Sequence, residues 1–308
     1  MFNRLSAHFR AVIQALFVTF LWSSSWVLIK IGLTDIPALP FAGLRYTLAF
    51  LCLLPLAFRS GRLKQLRGLS TSKWGQLILL GLLFYAVTQG SQFVSLLYLP
   101  AMTTSLLLSF TTILVALLGI FLLSESPTRA QWAGTILYLA GVMVFLYPIT
   151  LPAGQVVGFI VAITGVLANA LSSILGRQVN RNGELEPVLV TVVSMGIGAV
   201  VLLAGGLAIQ GLPPLSLTHW AIILWLAVIN SAYAFTLWNR TLQTLSAMES
   251  SIINNTMLFQ IAILAWLFLD EALSWPRVIG MVLAAIGTLI VQVKKQQPQA
   301  GIKKPTSD

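Results

Sequence analysis

Charge is what this sequence has least of. Only 8% of its 308 residues are charged, and acids are scarcest, with 8 Asp and Glu against 18 Lys and Arg. Soluble domains run near 25% charged, so this chain cannot cover a water-facing surface with ionic groups. Cysteine is nearly missing as well. Cys52 stands alone in an apolar run, which excludes a disulfide framework. The two histidines, His8 and His219, are far apart, so a zinc site has nothing to draw on and no metal or other cofactor is expected. HExxH and GxSxG are both missing, and no acids pair within an apolar run. Intramembrane enzyme chemistry therefore lacks its groups, and no enzyme is expected.

What fills the chain instead is apolar residues, at 57%. A membrane span needs roughly 20 of them to cross a hydrocarbon core of about 30 Å. Apolar runs lie at 11–33, 38–58, 74–95, 101–123, 130–148, 156–176, 187–209, 218–239, 249–269 and 275–293. None alternates with period two, which argues against barrel strands. Backbone in lipid must satisfy its own hydrogen bonds, so these runs predict helices. The expected fold is an all-α integral membrane protein of ten transmembrane helices. The first run follows Arg4 and Arg10 but is too long for a signal h-region and has no clear small-x-small site. It reads as a retained first helix.

The net charge of +10 is spread over short gaps between apolar runs, not along a basic stripe with interleaved aromatics. That placement argues against a nucleic-acid partner. With the N-terminus inside, the inside gaps hold Arg4, Arg10, Arg59, Arg62, Lys64, Arg67, Lys73, Arg129, Arg177, Arg181, Arg240 and the tail lysines. The outside ends hold only Lys30 and Arg277. The positive-inside rule thus predicts both termini in the cytoplasm and an even number of spans. The polar segment 294–308 is expected to be a disordered cytoplasmic tail.

The chain repeats itself. Leu123-Ser124-Glu125 is followed by Gly134 and Gly141, and Leu269-Asp270-Glu271 by Gly280 and Gly287, at an offset of 146 residues. Ala101-Met102 meets Ala247-Met248 at the same offset, while Pro40 maps onto Pro187 and Lys30 onto Arg177 at 147. The halves are 11–148 and 156–293, joined by 149–155, after a short cytoplasmic segment 1–10. Each holds five spans. An odd number forces opposite insertion, so the halves form inverted repeats, with a solute site expected near the midplane where they meet. The paired glycines lie on one face of their helices, where small residues allow close approach in lipid.

These features resemble the drug/metabolite transporter superfamily, specifically its EamA-type members. The likeness rests on Trp22-Ser23-Ser24-Ser25-Trp26 with Lys30 beyond it, Arg45 in the second helix, and the repeated helix ends at Glu125 and Glu271. It covers about 11–293. The resemblance implies two inverted five-helix repeats, cytoplasmic termini and export of amino acids or other small metabolites. One departure stands out. Family members often carry a proline in the fourth and ninth helices, where this chain has Thr112 and Leu258.

Polar groups inside a span are costly and usually face a bundle interior or cavity. Trp22, Trp26 and Lys30 fall on one helical face, as do Tyr85, Gln89 and Gln92, and Ser105, Ser109 and Thr112. Asn230 and Tyr233 lie together on the eighth helix, and Asn254, Asn255 and Gln260 crowd the ninth. Asn169 takes the repeat-equivalent place of Trp22. Of these, Trp22, Trp26, Lys30, Tyr85, Gln89, Gln92, Asn169, Asn230, Tyr233, Asn254 and Asn255, together with Arg45, form the candidate solute-binding set, and the solute is expected among helices 1, 3, 6, 8 and 9. Interhelical hydrogen bonding is the alternative use of the same groups. Lys30 either meets an anionic solute or snorkels to the outer surface. Glu125 and Glu271 each stand just before a helix whose N–H groups and dipole they can cap; gating is the alternative. Glu249 follows Ser246 in a capping-box pattern, or is a proton-linked acid. The expected partners are the lipid bilayer of the plasma membrane and a small polar solute. Transporters of phosphate-bearing solutes such as nucleotide sugars, and a non-transporting scaffold, remain the other readings.

Overall fold

The computed structural model describes residues 7–58, 64–111, 113–115, 118, 128–147, 153–181, 185–241, 244–245 and 247–292. Glu125, Thr112, Ser246 and the tail 294–308 lie outside these residues, and of the side chains of Glu249, Asn255 and Arg177 nothing is described. No strand occurs among the described residues.

The helices are α1 (Ala7–Gly32), α2 (Ala38–Phe58), α3 (Thr71–Tyr98), α4 (Ala101–Ser109), α5 (Arg129–Phe145), α6 (Ala153–Arg181), α7 (Pro187–Gln210), α8 (Leu217–Ala227 continued by Val228–Tyr233 and Ala234–Thr241), α9 (Ala247–Phe268) and α10 (Trp275–Gln292). A single turn, Lys64–Arg67, lies between α2 and α3. Six of these, α1, α2, α3, α6, α7 and α8, contain stretches long and apolar enough to cross a membrane. The apolar stretches of the other four are shorter, at Ala101–Val115, Trp132–Phe145, Thr256–Phe268 and Trp275–Ile290. Starts are marked where polar groups are available. Ser70 accepts a hydrogen bond from Lys73 N, and Ser216 forms a capping box with His219. His219 Nε2 also meets Asp35 Oδ2 at 3.3 Å, joining the start of α8 to the turn between α1 and α2.

The packing crosses between the halves. α1 packs on α9 and α8, while α6 packs on α4 and α3. These are the same relations with the halves exchanged. α2 packs on α7, α4 on α9, and α5 on α10, each helix against its own repeat-equivalent. Two further features repeat. Gly81–Thr88 in α3 and Val228–Tyr233 in α8 are π-helical, and their starts differ by 147 residues. Each is stitched by a hydroxyl reaching back five residues: Thr88 Oγ1 donates to Leu83 O at 2.8 Å, and Ser231 Oγ to Leu226 O at 3.0 Å. π turns inside α-helices occur mostly at functional sites.

The α5–α10 seam is backbone on backbone. A Cβ on Gly141 would fall 2.5 Å from Ala284 N, and one on Gly287 2.5 Å from Tyr138 N. No side chain larger than hydrogen fits, and the expectation of close helix approach at these glycines is met by this geometry.

Candidate functional site

Between the halves lies a cavity of ≈ 450 Å³. Small-molecule sites run about 300–1,000 Å³, with mostly apolar walls and a few placed polar groups. The lining comes from α1, α2, α3, α4, α6, α8, α9 and α10, so both halves contribute.

Trp22 and Trp26 of α1 line it, and so do their repeat-equivalents Asn169 and Ser173 of α6. Trp22 packs against Phe235 and Trp238 of α8, with ring centroids 5.3 and 5.2 Å apart. Its indole Nε1 is buried without a hydrogen-bond partner among the described residues. Asn169 Nδ2 donates to Thr111 Oγ1 at 3.3 Å. On α3, Gln89 and Gln92 line the cavity beside Thr88 and Phe84. Gln89 Oε1 accepts from the Tyr46 hydroxyl at 2.6 Å, which fixes its orientation. Ser105 and Ser109 of α4 and Asn254, Met257 and Leu258 of α9 complete the polar–apolar wall.

Arg45 is the one charged side chain among the described residues of this lining. It is 4% exposed. Its Nε donates to Ser231 Oγ at 3.0 Å, inside the π-helical stretch of α8. The guanidinium carbon stands 5.2 Å from the Tyr46 ring centroid and 6.0 Å from that of Phe93, within cation–π range. Among the described residues no carboxylate pairs with it.

Several expected site residues are used elsewhere. Tyr85 does not line the cavity. The shared face with Gln89 and Gln92 assumes an α-helical twist, and the π turn breaks that register. Tyr85 instead is buried, edge-on to Tyr46 and Phe84, and its Cβ stands where a side chain on Gly198 of α7 would be. Asn230 is fully buried and bonds α1, through Leu21 O and, at 3.2 Å, Ser24 Oγ. Tyr233 is 49% exposed and does not line the cavity. Gln260 also ties helices, accepting from Ser23 Oγ at 2.9 Å and donating to Thr19 Oγ1 at 3.2 Å.

Lys30 and Glu271 form a tie at one end of the bundle. Lys30 Nζ donates to Leu96 O and, at 2.9 Å, to Leu99 O, the carbonyls at the end of α3. A cation suits the negative end of a helix. Glu271 does not cap the helix after it. Its carboxylate accepts from Ala101 N and, at 3.0 Å, from Met102 N, the first amides of α4 in the other half. Asp270 makes this possible. It takes a left-handed conformation (φ 53°) after α9, and the turn delivers Glu271 sideways onto α4. The expectation was drawn from sequence proximity, whereas the exposed N–H groups nearest in space belong to another helix.

Tyr46, Phe84, Thr88, Ser173 and Phe235 line the cavity without having been expected to. One carried a signal: Ser173 is four residues after Asn169 and repeat-equivalent to Trp26. Tyr46 carried none beyond its place beside Arg45.

The EamA-like transporter family profile matches residues 9–147 and 156–293. The chain belongs to the EamA-like transporter family. It is a multi-pass membrane protein, with a drug/metabolite transporter relationship carried by both halves. An uncharacterized transporter of Archaeoglobus fulgidus is 24% identical, over 90% of this chain and 95% of its own length. A probable amino-acid metabolite efflux pump of Escherichia coli K12 is also 24% identical, over 90% and 93%. One of the same description from Salmonella typhimurium is 28% identical, over 74% and 76%. A protein of known crystal structure matches with a TM-score of 0.67 at 18% identity, covering 92% of this EamA-like chain and 97% of its own. At that identity the likeness is one of fold alone.

Proposed function

We propose that this EamA-like protein exports amino acids or other small polar metabolites across the plasma membrane, by alternating access between two five-helix halves of opposite orientation. In this reading the ten apolar runs make ten crossings, and the charge distribution supports placing both termini in the cytoplasm. The observation that carries the reading is the ≈ 450 Å³ cavity lined by both halves, with aromatic walls and polar groups from equivalent helices. The exchanged packing of α1 on α9 and α6 on α4 supports the inversion. Trp22, Trp26, Arg45, Gln89, Gln92, Asn169 and Asn254 hold the solute. Efflux-pump relatives support the amino-acid class.

The tie of Lys30 and Glu271 is a gate in this reading. It holds α1, α3, α4 and α9 together at the end assigned to the outside. When it parts, the cavity opens there. A phosphate-bearing solute is the weaker reading, because it wants several cations and the described lining residues offer Arg45 alone. Flux from proteoliposomes across a panel of amino acids and small metabolites tests the proposal. Movement of at least one solute, lost in Gln89→Ala and Asn254→Ala, is expected. No movement of any solute by folded protein refutes it.

A further inference from the structure

The cavity is asymmetric in charge. Arg45 contributes a buried cation, and no acid accompanies it among the described lining residues. Its repeat-equivalent in α7 is Val192, so the second half supplies no counterpart. Of five guanidinium N–H donors, only the one on Nε has a partner among the described residues. The two aromatic faces beside it offset the charge only in part. A buried cation without a counter-ion is costly, and an arriving anion relieves that cost. A planar guanidinium fits a carboxylate with two parallel bonds.

The rest of the wall fits the rest of a solute. Trp22, Trp26, Phe84 and Phe235 give flat apolar faces. An ammonium group, by contrast, would find neutral oxygens and aromatic faces but no carboxylate among the described lining residues, and it would meet the like charge of Arg45.

Resting on the exporter reading above, we propose that this site selects organic monoanions: a carboxylate on Arg45 and an apolar, preferably aromatic, body against the tryptophans. Zwitterions rank second and cations are refused. A consequence follows for energetics. With no acid in the described lining to exchange a proton, each solute carries its own negative charge outward. An inside-negative potential then drives export, and 100 mV sustains a gradient of up to about 50-fold.

The test uses three probes with one phenethyl body: N-acetylphenylalanine (anion), phenylalanine (zwitterion) and phenethylamine (cation). The full chain is reconstituted in phosphatidylethanolamine/phosphatidylglycerol vesicles, and leakage from protein-free vesicles is subtracted. Anion efflux at least about ten-fold above phenylalanine is expected, with phenethylamine at background. A valinomycin-set potential of matching sign should accelerate the anion alone. Arg45→Gln should abolish anion flux and Arg45→Lys restore part of it. In case Arg45→Gln fails to fold, the wild-type chain gives a second readout: N-acetylphenylalanine raises its melting temperature and phenethylamine does not. Phenylalanine or phenethylamine moving as fast as the anion, or Arg45→Gln keeping its anion flux, overturns the inference. So does a chain that moves other solutes but none of the three, which leaves the exporter reading standing. If no solute moves at all, both fall.

Discussion

Glu271→Gln tests the helix-end tie directly. The carboxylate accepts two backbone N–H bonds from Ala101 and Met102. Bonds to charged groups contribute about 1.5–3 kcal/mol each, and a charge at a helix N-terminus about 0.3–1. Glutamine keeps one carbonyl acceptor and loses the second acceptor and the charge. The loss is therefore about 2 kcal/mol, or about 30-fold in the balance between joined and parted ends. A single thiol reports it. Cys52, the one native cysteine, is replaced by serine, and Ser105→Cys places a thiol in the cavity wall. A membrane-impermeant maleimide is then added from the Glu271 side. Initial labelling should rise by about an order of magnitude or more in Glu271→Gln. Lys30→Met, which removes the bonds to Leu96 O and Leu99 O, should act in the same direction. Labelling unchanged within about two-fold, in variants whose melting shows them folded, would mean the tie holds nothing shut.

Three further outcomes are expected. Tyr46→Phe removes the hydroxyl donated to Gln89, so KM for an exported solute should change by about five-fold with the melting temperature nearly unmoved. Gly287→Leu drives a side chain into the α5 backbone near Tyr138 and should cost at least about 1–3 kcal/mol in a thermal melt, whereas Gly75→Ala, with open space around it, should be neutral or slightly stabilising. Asp270→Gly should raise stability by under about 1 kcal/mol by relieving the left-handed backbone, and Asp270→Val should lower it.

Much of the fold was legible in the chain, because apolar runs and glycine spacing report directly on lipid and on helix contact. The α5–α10 seam is the clearest case: glycines at an even spacing left room only for another backbone. The site was half legible. Trp22, Arg45, Gln92 and Asn169 are polar or amphipathic groups in apolar company, and they do reach the cavity. Tyr85 and Asn230 looked the same in sequence and are used for packing and for an α1 contact. Periodicity says which residues share a face, but not which neighbour that face meets. It also assumes a regular twist, and the π turns in α3 and α8 violate it. Glu271 was misread for a different reason. Its partner amides are 169 and 170 residues away in sequence, beyond what local spacing can show.

The bond from Arg45 to Ser231 spans 186 residues, and this bears on how the chain is made. A ribosome adds about 5–20 residues per second. Arg45 therefore enters the bilayer roughly 10–40 s before its partner exists. An arginine costs up to about 2.5–3.5 kcal/mol at the centre of an inserting helix and less toward its ends, and the apolar remainder of α2 must outweigh the cost at Arg45 unaided. The first five helices, released alone, would carry an unmet guanidinium and an α4 without Glu271 on its first amides. Synthesis of the second half supplies partners that the first lacks, so the halves expressed as two polypeptides should yield stable protein only when both are present in the same membrane.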